Sequence, residues 1–170
     1  MGNNLRNTIR YKFKRQSLLY DIANYAFVEG DVMQTDSDHL RQQVQDIIQE
    51  GNIDRVNRVL ALAFSECDNM LFPYTISKIN GELECKNSIE APEEYMITLS
   101  VPETFAPSTA SLLGKLLHEY MVCRVLSDWM SITYPQAQVN WQIKLEDIQS
   151  RVRQCINFRT KKVRRRISVL

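Results

Sequence analysis

The residues that could support catalysis are few and poorly placed for it. His118 and Glu119 stand together in a predicted helix, but the zinc-protease helix pattern needs a second histidine four residues on, where this chain has Val122. Cys67 and Cys123 lie within apolar stripes, where a thiol is more typical of a protein core than of a nucleophile. The sequence therefore predicts no enzymatic activity, no cofactor and no metal site.

The clearest binding chemistry lies at the two ends of the chain, which are strongly basic. Of the 21 lysines and arginines, five lie in residues 1–15 and eight in residues 151–166. Neither stretch contains an acidic residue. The middle of the chain keeps eight basic residues against all 20 acidic ones, although the net charge of the whole chain is only +1. This segregation favours either a polyanionic partner or docking against a complementary protein surface.

The last ten residues combine positive charge with an apolar end. A basic strip can bind phosphates in a salt-sensitive way, or can simply stay solvated beyond a helix C-terminus. An apolar terminus is not expected of a solvated tail, and its alternation suits a strand added to another chain or a plug for a pocket. We therefore predict a docking tail. Its predicted docking residues are Arg164, Arg165, Arg166, Ile167, Val169 and Leu170.

Helical periodicity dominates the elements that precede this tail. Apolar residues recur at helical spacing over residues 5–28, 38–50 and 53–71, and Gly30 and Gly51 fall at the ends of the first two stretches. The sequence therefore predicts three helices in the first part of the chain.

Between residues 74 and 101 the pattern changes to an alternation with period two. Asn80-Gly81 separates two alternating runs, which is the strongest short-range signal for a hairpin, and a third run covers residues 95–101. We therefore predict a β insertion at about residues 74–101, either a hairpin or a three-stranded sheet.

Two long helices are predicted after the insertion. Ser108 or Thr109 can cap a helix that reaches Tyr134, and Pro135 can begin the next helix, which runs towards Arg159. Their short connection makes them antiparallel neighbours. The predicted fold is mainly α, a bundle of about five helices with a small β insertion. Residues 1–160 form one domain, and residues 161–170 form a basic extended tail.

The sequence also favours a cytoplasmic location. No apolar run approaches the roughly 20 residues that a membrane span needs, and no apolar run follows the basic N-terminus as it would in a secretory signal. Cys67, Cys85, Cys123 and Cys155 are widely spread and contain no CxxC pair, so we expect reduced thiols.

Residues 95–170 resemble by pattern the head-to-tail adaptor (connector) proteins of tailed phages and prophages, particularly those of Bacteroides-type hosts. The similar features are the helix sequence LLHEYMVCRVLSDW at 116–129, the second helix entered through Asn140-Trp141, and the strip KKVRRR at 161–166. The first three predicted helices fit the general shape of an all-helical adaptor. The region of Asn80 and Gly81 departs from the usual outline, and we expect that loop to contact neighbouring subunits or the tail.

The resemblance implies a structural protein of the virion neck, assembled in the host cytoplasm. Such a protein forms a ring, typically of twelve copies, that joins the portal protein to a downstream tail or neck protein. DNA passes through the lumen without sequence recognition, and no membrane is involved. The portal-docking tail of the family would correspond to Arg164–Arg166 with the apolar end. Two alternatives remain open: a DNA-binding accessory protein that uses its basic ends, and a helical scaffold or chaperone-like protein.

Overall fold

The structure, a computed structural model, describes residues 6–76 and 87–160. Within these ranges the chain is mainly helical, with five α-helices and a small antiparallel sheet, as the sequence predicts. The elements are β1 (Arg6–Lys14), α1 (Arg15–Val32), α2 (Asp38–Gln45), a 3₁₀ turn (Asp46–Ile48), α3 (Ile53–Met70), β2 (Glu94–Pro102), α4 (Pro107–Thr133) and α5 (Pro135–Asn157).

The centre of the fold is α4, which is buried over much of its circumference. A helix that is apolar on most sides is stable only when other elements surround it. Helix α5 packs along α4, and the contacts of Ser127 with Gln142 and of Glu119 with Lys144 show that the two helices are antiparallel, as predicted. Proline is the first residue of each helix, where its missing N–H costs no helical hydrogen bond. The predicted caps Ser108 and Thr109 are therefore wrong, since both lie inside α4.

Helices α1, α2 and α3 pack against other sides of α4. Helix α3 is antiparallel to α4, since Arg55 pairs with Asp128 near one end of the contact and Cys67 lies against Leu117 near the other. Trp129 of α4 donates its indole N–H to the Val44 carbonyl at 2.9 Å, which attaches α2 to the same core. In the described residues, no helix is long and apolar enough to cross a membrane.

The strand β1 is the main correction to the sequence prediction, which placed residues 6–14 within the first helix. β1 pairs with β2 in antiparallel register, from Arg6 opposite Pro102 to Lys14 opposite Glu94. Ile9 and Phe13 are four residues apart and so fit a helix face, but they also fit one face of a strand. Residues 6–14 form a strand and not a helix because they pair with β2, which begins about 80 residues further along the chain. Local periodicity does not reveal that pairing.

The sheet has an incomplete third member on the other side of β2. The Ile76 amide donates to the Thr98 carbonyl, the Ser100 amide donates to the Tyr74 carbonyl, and Thr75 forms a β-bridge with Leu99. The predicted strand near residues 95–101 is confirmed. The predicted hairpin turn at Asn80 and Gly81 lies outside the described residues.

Candidate functional site

The predicted docking tail lies outside the described residues, but the structure describes the point at which it begins. The Thr160 amide and hydroxyl both donate to the Thr104 carbonyl, at 2.9 and 3.1 Å. The preceding residue, Arg159, donates to the Tyr74 hydroxyl at 2.6 Å, and its guanidinium lies 5.6 Å from the Tyr74 ring centroid and 5.7 Å from that of Phe105. We call Tyr74, Thr104, Phe105, Arg159 and Thr160 the tail anchor.

The tail anchor fixes the end of α5 against the loop after β2. Arg159 also donates to the Ile156 and Phe158 carbonyls, both at 2.8 Å, and so caps the C-terminus of α5 with a positive charge. Because β1 begins with Arg6 opposite Pro102, the N-terminal residues enter the fold at this same end. The start of β1 and the start of the tail therefore lie at the same end of the fold.

A polar cluster lies between α1, α4 and α5 and contains Tyr25, Glu119, Cys123 and Lys144. Glu119 accepts hydrogen bonds from Lys144 at 2.7 Å and from the Tyr25 hydroxyl at 2.9 Å. The Lys144 ammonium lies 4.6 Å from the Tyr25 ring centroid and 5.1 Å from that of Trp141, within cation–π distance. The Cys123 sulfur lies 4.0 Å from the same Glu119 oxygen.

The pKa directions within the polar cluster oppose catalysis. Burial raises the pKa of the Cys123 thiol to about 12, so it stays protonated and is a poor nucleophile. Burial by itself would raise the pKa of Glu119, but the hydrogen bonds from Lys144 and Tyr25 lower it overall. Burial likewise opposes the charge of Lys144, yet the bond to Glu119 raises its pKa overall. A general acid or base needs a pKa near neutrality, and these groups are shifted away from it.

His118, Cys67 and Cys155 occupy places that suit structural roles. The His118 Nε2 atom lies 2.7 Å from the Asp21 carboxylate in the α1–α4 contact, where both side chains are partly buried. Among the described cysteines, Cys67, Cys123 and Cys155 are buried free thiols in agreement with the prediction, whereas Cys85 lies outside the described residues. In the part of the chain that the structure describes, no cluster of three His, Cys, Asp or Glu side chains could hold a metal ion.

A groove of about 560 Å³ lies between β1 and α4 and was not predicted from the sequence. Tyr11, Lys12 and Phe13 line it from β1, and Gly114, Lys115 and His118 line it from α4. The groove does not follow from the sequence prediction, because residues 6–14 were predicted to belong to a helix. The alternation of Ile9, Tyr11 and Phe13 with basic residues was the signal that could have revealed it.

Comparisons of the chain with protein families, with curated proteins and with solved structures gave no match. Function must therefore be argued from the tail anchor, the groove and the charge distribution.

Proposed function

We propose that this chain is a structural protein of a phage neck, which forms a ring that joins the portal to the tail and continues the DNA channel. The observation that carries the proposal is the tail anchor. It holds both residues that precede the basic tail, so the point from which the tail starts is fixed. The resemblance of residues 116–129 and 161–166 to phage adaptors supports the same reading.

A fixed origin makes the short tail an efficient docking element. Ten extended residues reach at most roughly 35 Å. A partner bound by Arg164–Arg166 and by the apolar end must therefore lie close to the tail anchor. In the proposed role this partner is the portal protein, which places this end of the fold towards the capsid. Neighbouring copies, a downstream tail protein and DNA in the lumen complete the proposed set of partners.

Truncation after Thr160 tests the proposal. We expect the truncated protein to keep the helical circular dichroism of the full chain, because α5 ends at Asn157, and to lose co-sedimentation with the portal protein of the same genome. A matched pair of full-length variants separates the two parts of the tail. One replaces Arg164, Arg165 and Arg166 by Gln, and the other replaces Ile167, Val169 and Leu170 by Ser. Portal binding that survives truncation would contradict the docking role.

The alternative, a DNA-binding accessory protein, is favoured by one observation. The exposed side chains of Arg10, Lys12 and Lys14 form a basic row on β1, which begins at the same end of the fold as the tail. Phosphate binding by such a row weakens steeply with salt. A mobility-shift titration at 50 and 200 mM salt distinguishes the proposals: tight, salt-sensitive binding supports the alternative, and absence of binding at 50 mM salt excludes it.

A further inference from the structure

In the part of the chain that the structure describes, one edge of strand β1 has no partner strand along its whole length. Among the described residues β2 is its sole partner strand. The Thr98 carbonyl and the Ser100 amide of β2 form their hydrogen bonds with the Tyr74–Ile76 segment. In an antiparallel ladder successive residues point their N–H and C=O groups to opposite sides. The β2 residues that alternate with Thr98 and Ser100 therefore form their hydrogen bonds with β1, at Asn7, Ile9 and Tyr11. The backbone groups of Thr8, Arg10 and Lys12 are then directed to the free edge.

The groove between β1 and α4 borders this free edge. Most of its lining surface is apolar, and the Tyr11 and Phe13 rings contribute to it. Gly114 permits the close approach of β1 to α4, since a Cβ atom there would lie 2.9 Å from the Tyr11 ring. The Tyr11 hydroxyl donates to the Ala110 carbonyl at 2.7 Å and so ties the strand to the helix. An unpaired edge beside an apolar groove is the arrangement by which folded domains bind extended peptides as an added strand.

The charges around the groove select an acidic occupant. Lys12 and Lys115 lie in its lining, and Arg10 and Lys14 are exposed beside it on β1. The acid in the lining, Glu119, is already paired with Lys144 at 2.7 Å. Among the described residues neither Lys12 nor Lys115 has an ion-pair partner, so an incoming strand meets positive charge on its outer face and apolar surface on its inner face.

We propose that this groove binds residues 81–86 of a second copy of the chain as a strand added to β1. The sequence Gly-Glu-Leu-Glu-Cys-Lys alternates in the required way. Alternate side chains of a strand point to opposite faces, so Glu82 and Glu84 would face Arg10 and Lys12 while Leu83 and Cys85 would enter the groove. Charge argues against the other extended candidate, the tail, because residues 161–166 carry five basic side chains and no acid.

The order of the sheet favours an occupant from another copy. Residues 74–76 lie on the edge of β2 opposite β1, so the segment that follows them begins across the sheet from the groove. A contact that joins one edge of a copy to the opposite edge of the next is heterologous, and such contacts generate rings when the rotation closes. The inference thus deepens the proposed function by naming the contact between copies, whereas portal docking by the tail does not depend on it.

Peptide binding tests the inference directly. The probe is a fluorescent peptide of residues 79–86, titrated with the full chain under reducing conditions, with a peptide of residues 161–170 as the comparison. We expect saturable binding of the first and at least about tenfold weaker binding of the second, because like charges repel at the groove. Equal binding of both peptides, or failure of the first to bind at millimolar protein, would overturn the proposal.

Two variants locate the binding site. Lys12→Glu combined with Lys115→Glu should weaken binding of the 79–86 peptide at least about tenfold, whereas Arg58→Glu, an exposed charge change on α3, should leave it unchanged. Arg10→Pro should weaken it similarly, because proline removes an N–H directed to the free edge and is tolerated at such positions. Circular dichroism confirms that each variant is folded. Unchanged binding in the folded charge variant would overturn the assignment to this groove.

Charge exchange tests the same contact in the full chain. Cross-linking at high protein concentration should capture self-association of the wild type. Glu82→Lys with Glu84→Lys, or Arg10→Glu with Lys12→Glu, should each reduce it severalfold, and mixing the two variants should restore it. Failure of the mixture to recover would contradict the inference. Portal co-sedimentation of the first variant measures tail docking separately, so the two proposals can fail independently.

Discussion

Two of the sides of α4 that carry polar groups differ in how completely the chain satisfies those groups. Towards α1 and α5, Glu119 is bonded to both Lys144 and Tyr25, and aromatic rings flank the lysine. Towards β1, Lys12 and Lys115 line a groove beside a strand edge that has no partner strand among the described residues. Charges matched within the chain contribute to folding, whereas unmatched charges remain available to a partner. The closed side should therefore respond to mutation through stability, and the open side through binding.

The largest effect on stability should come from the burial of apolar residues of α4, and two leucines of this helix that differ in burial test it. Leu117 is fully buried, whereas Leu112, five residues earlier, is 42% exposed. Leu117→Ala should lower the free energy of unfolding by about 2–5 kcal/mol, since it removes buried contacts and leaves a cavity. Leu112→Ala should lower it by less than about 1 kcal/mol. Urea unfolding followed by circular dichroism measures both, and similar losses would contradict the enclosure of α4.

A smaller effect is expected from the polar cluster on the closed side. Glu119→Ala removes the acceptor of two hydrogen bonds and leaves Lys144 without its carboxylate. We expect a loss of about 1–2 kcal/mol in the free energy of unfolding, a value reduced by the partial exposure of the pair. Glu146→Ala, which removes an exposed carboxylate of α5 that accepts from Gln142, is the matched control and should cost less than about 0.5 kcal/mol. Equal losses would show that Glu119 is no better satisfied than a surface carboxylate.

The pH dependence of the same cluster follows from the lowered pKa of Glu119. Because its pKa is lower in the folded state, Glu119 contributes stability above its ordinary pKa near 4.5 and loses that contribution as the pH falls through the folded-state value. The stability difference between wild type and Glu119→Gln should therefore be present at pH 7 and shrink towards pH 3. Urea midpoints at the two pH values measure it. A difference that grows on acidification would mean that the sign of the pKa shift is wrong.

The contrast between the two sides also explains what the sequence could predict. The stripes that define α3 and α5 are local, and Pro73 and Pro135 mark boundaries, so these helices were confirmed. The polar cluster joins Tyr25, Glu119 and Lys144, which are 94 and 25 residues apart along the chain, and no local pattern connects them. The groove depends on a strand whose apolar spacing also fits a helix, and on a partner strand far along the sequence.

The smallest effect on stability should come from the open side, and it decides whether the comparison holds. Lys12 and Lys115 are exposed, and the structure gives neither an ion pair among the described residues. The double change Lys12→Glu with Lys115→Glu should therefore alter the free energy of unfolding by less than about 0.5 kcal/mol, which is typical of surface substitutions. Thermal and urea unfolding at low and moderate salt measure this effect. If the variant keeps its stability but no longer binds the 79–86 peptide, the two lysines act on a partner and not on the fold. A decrease of about 2 kcal/mol or more in the free energy of unfolding would instead group the lysines with the polar cluster, as residues that stabilise the fold.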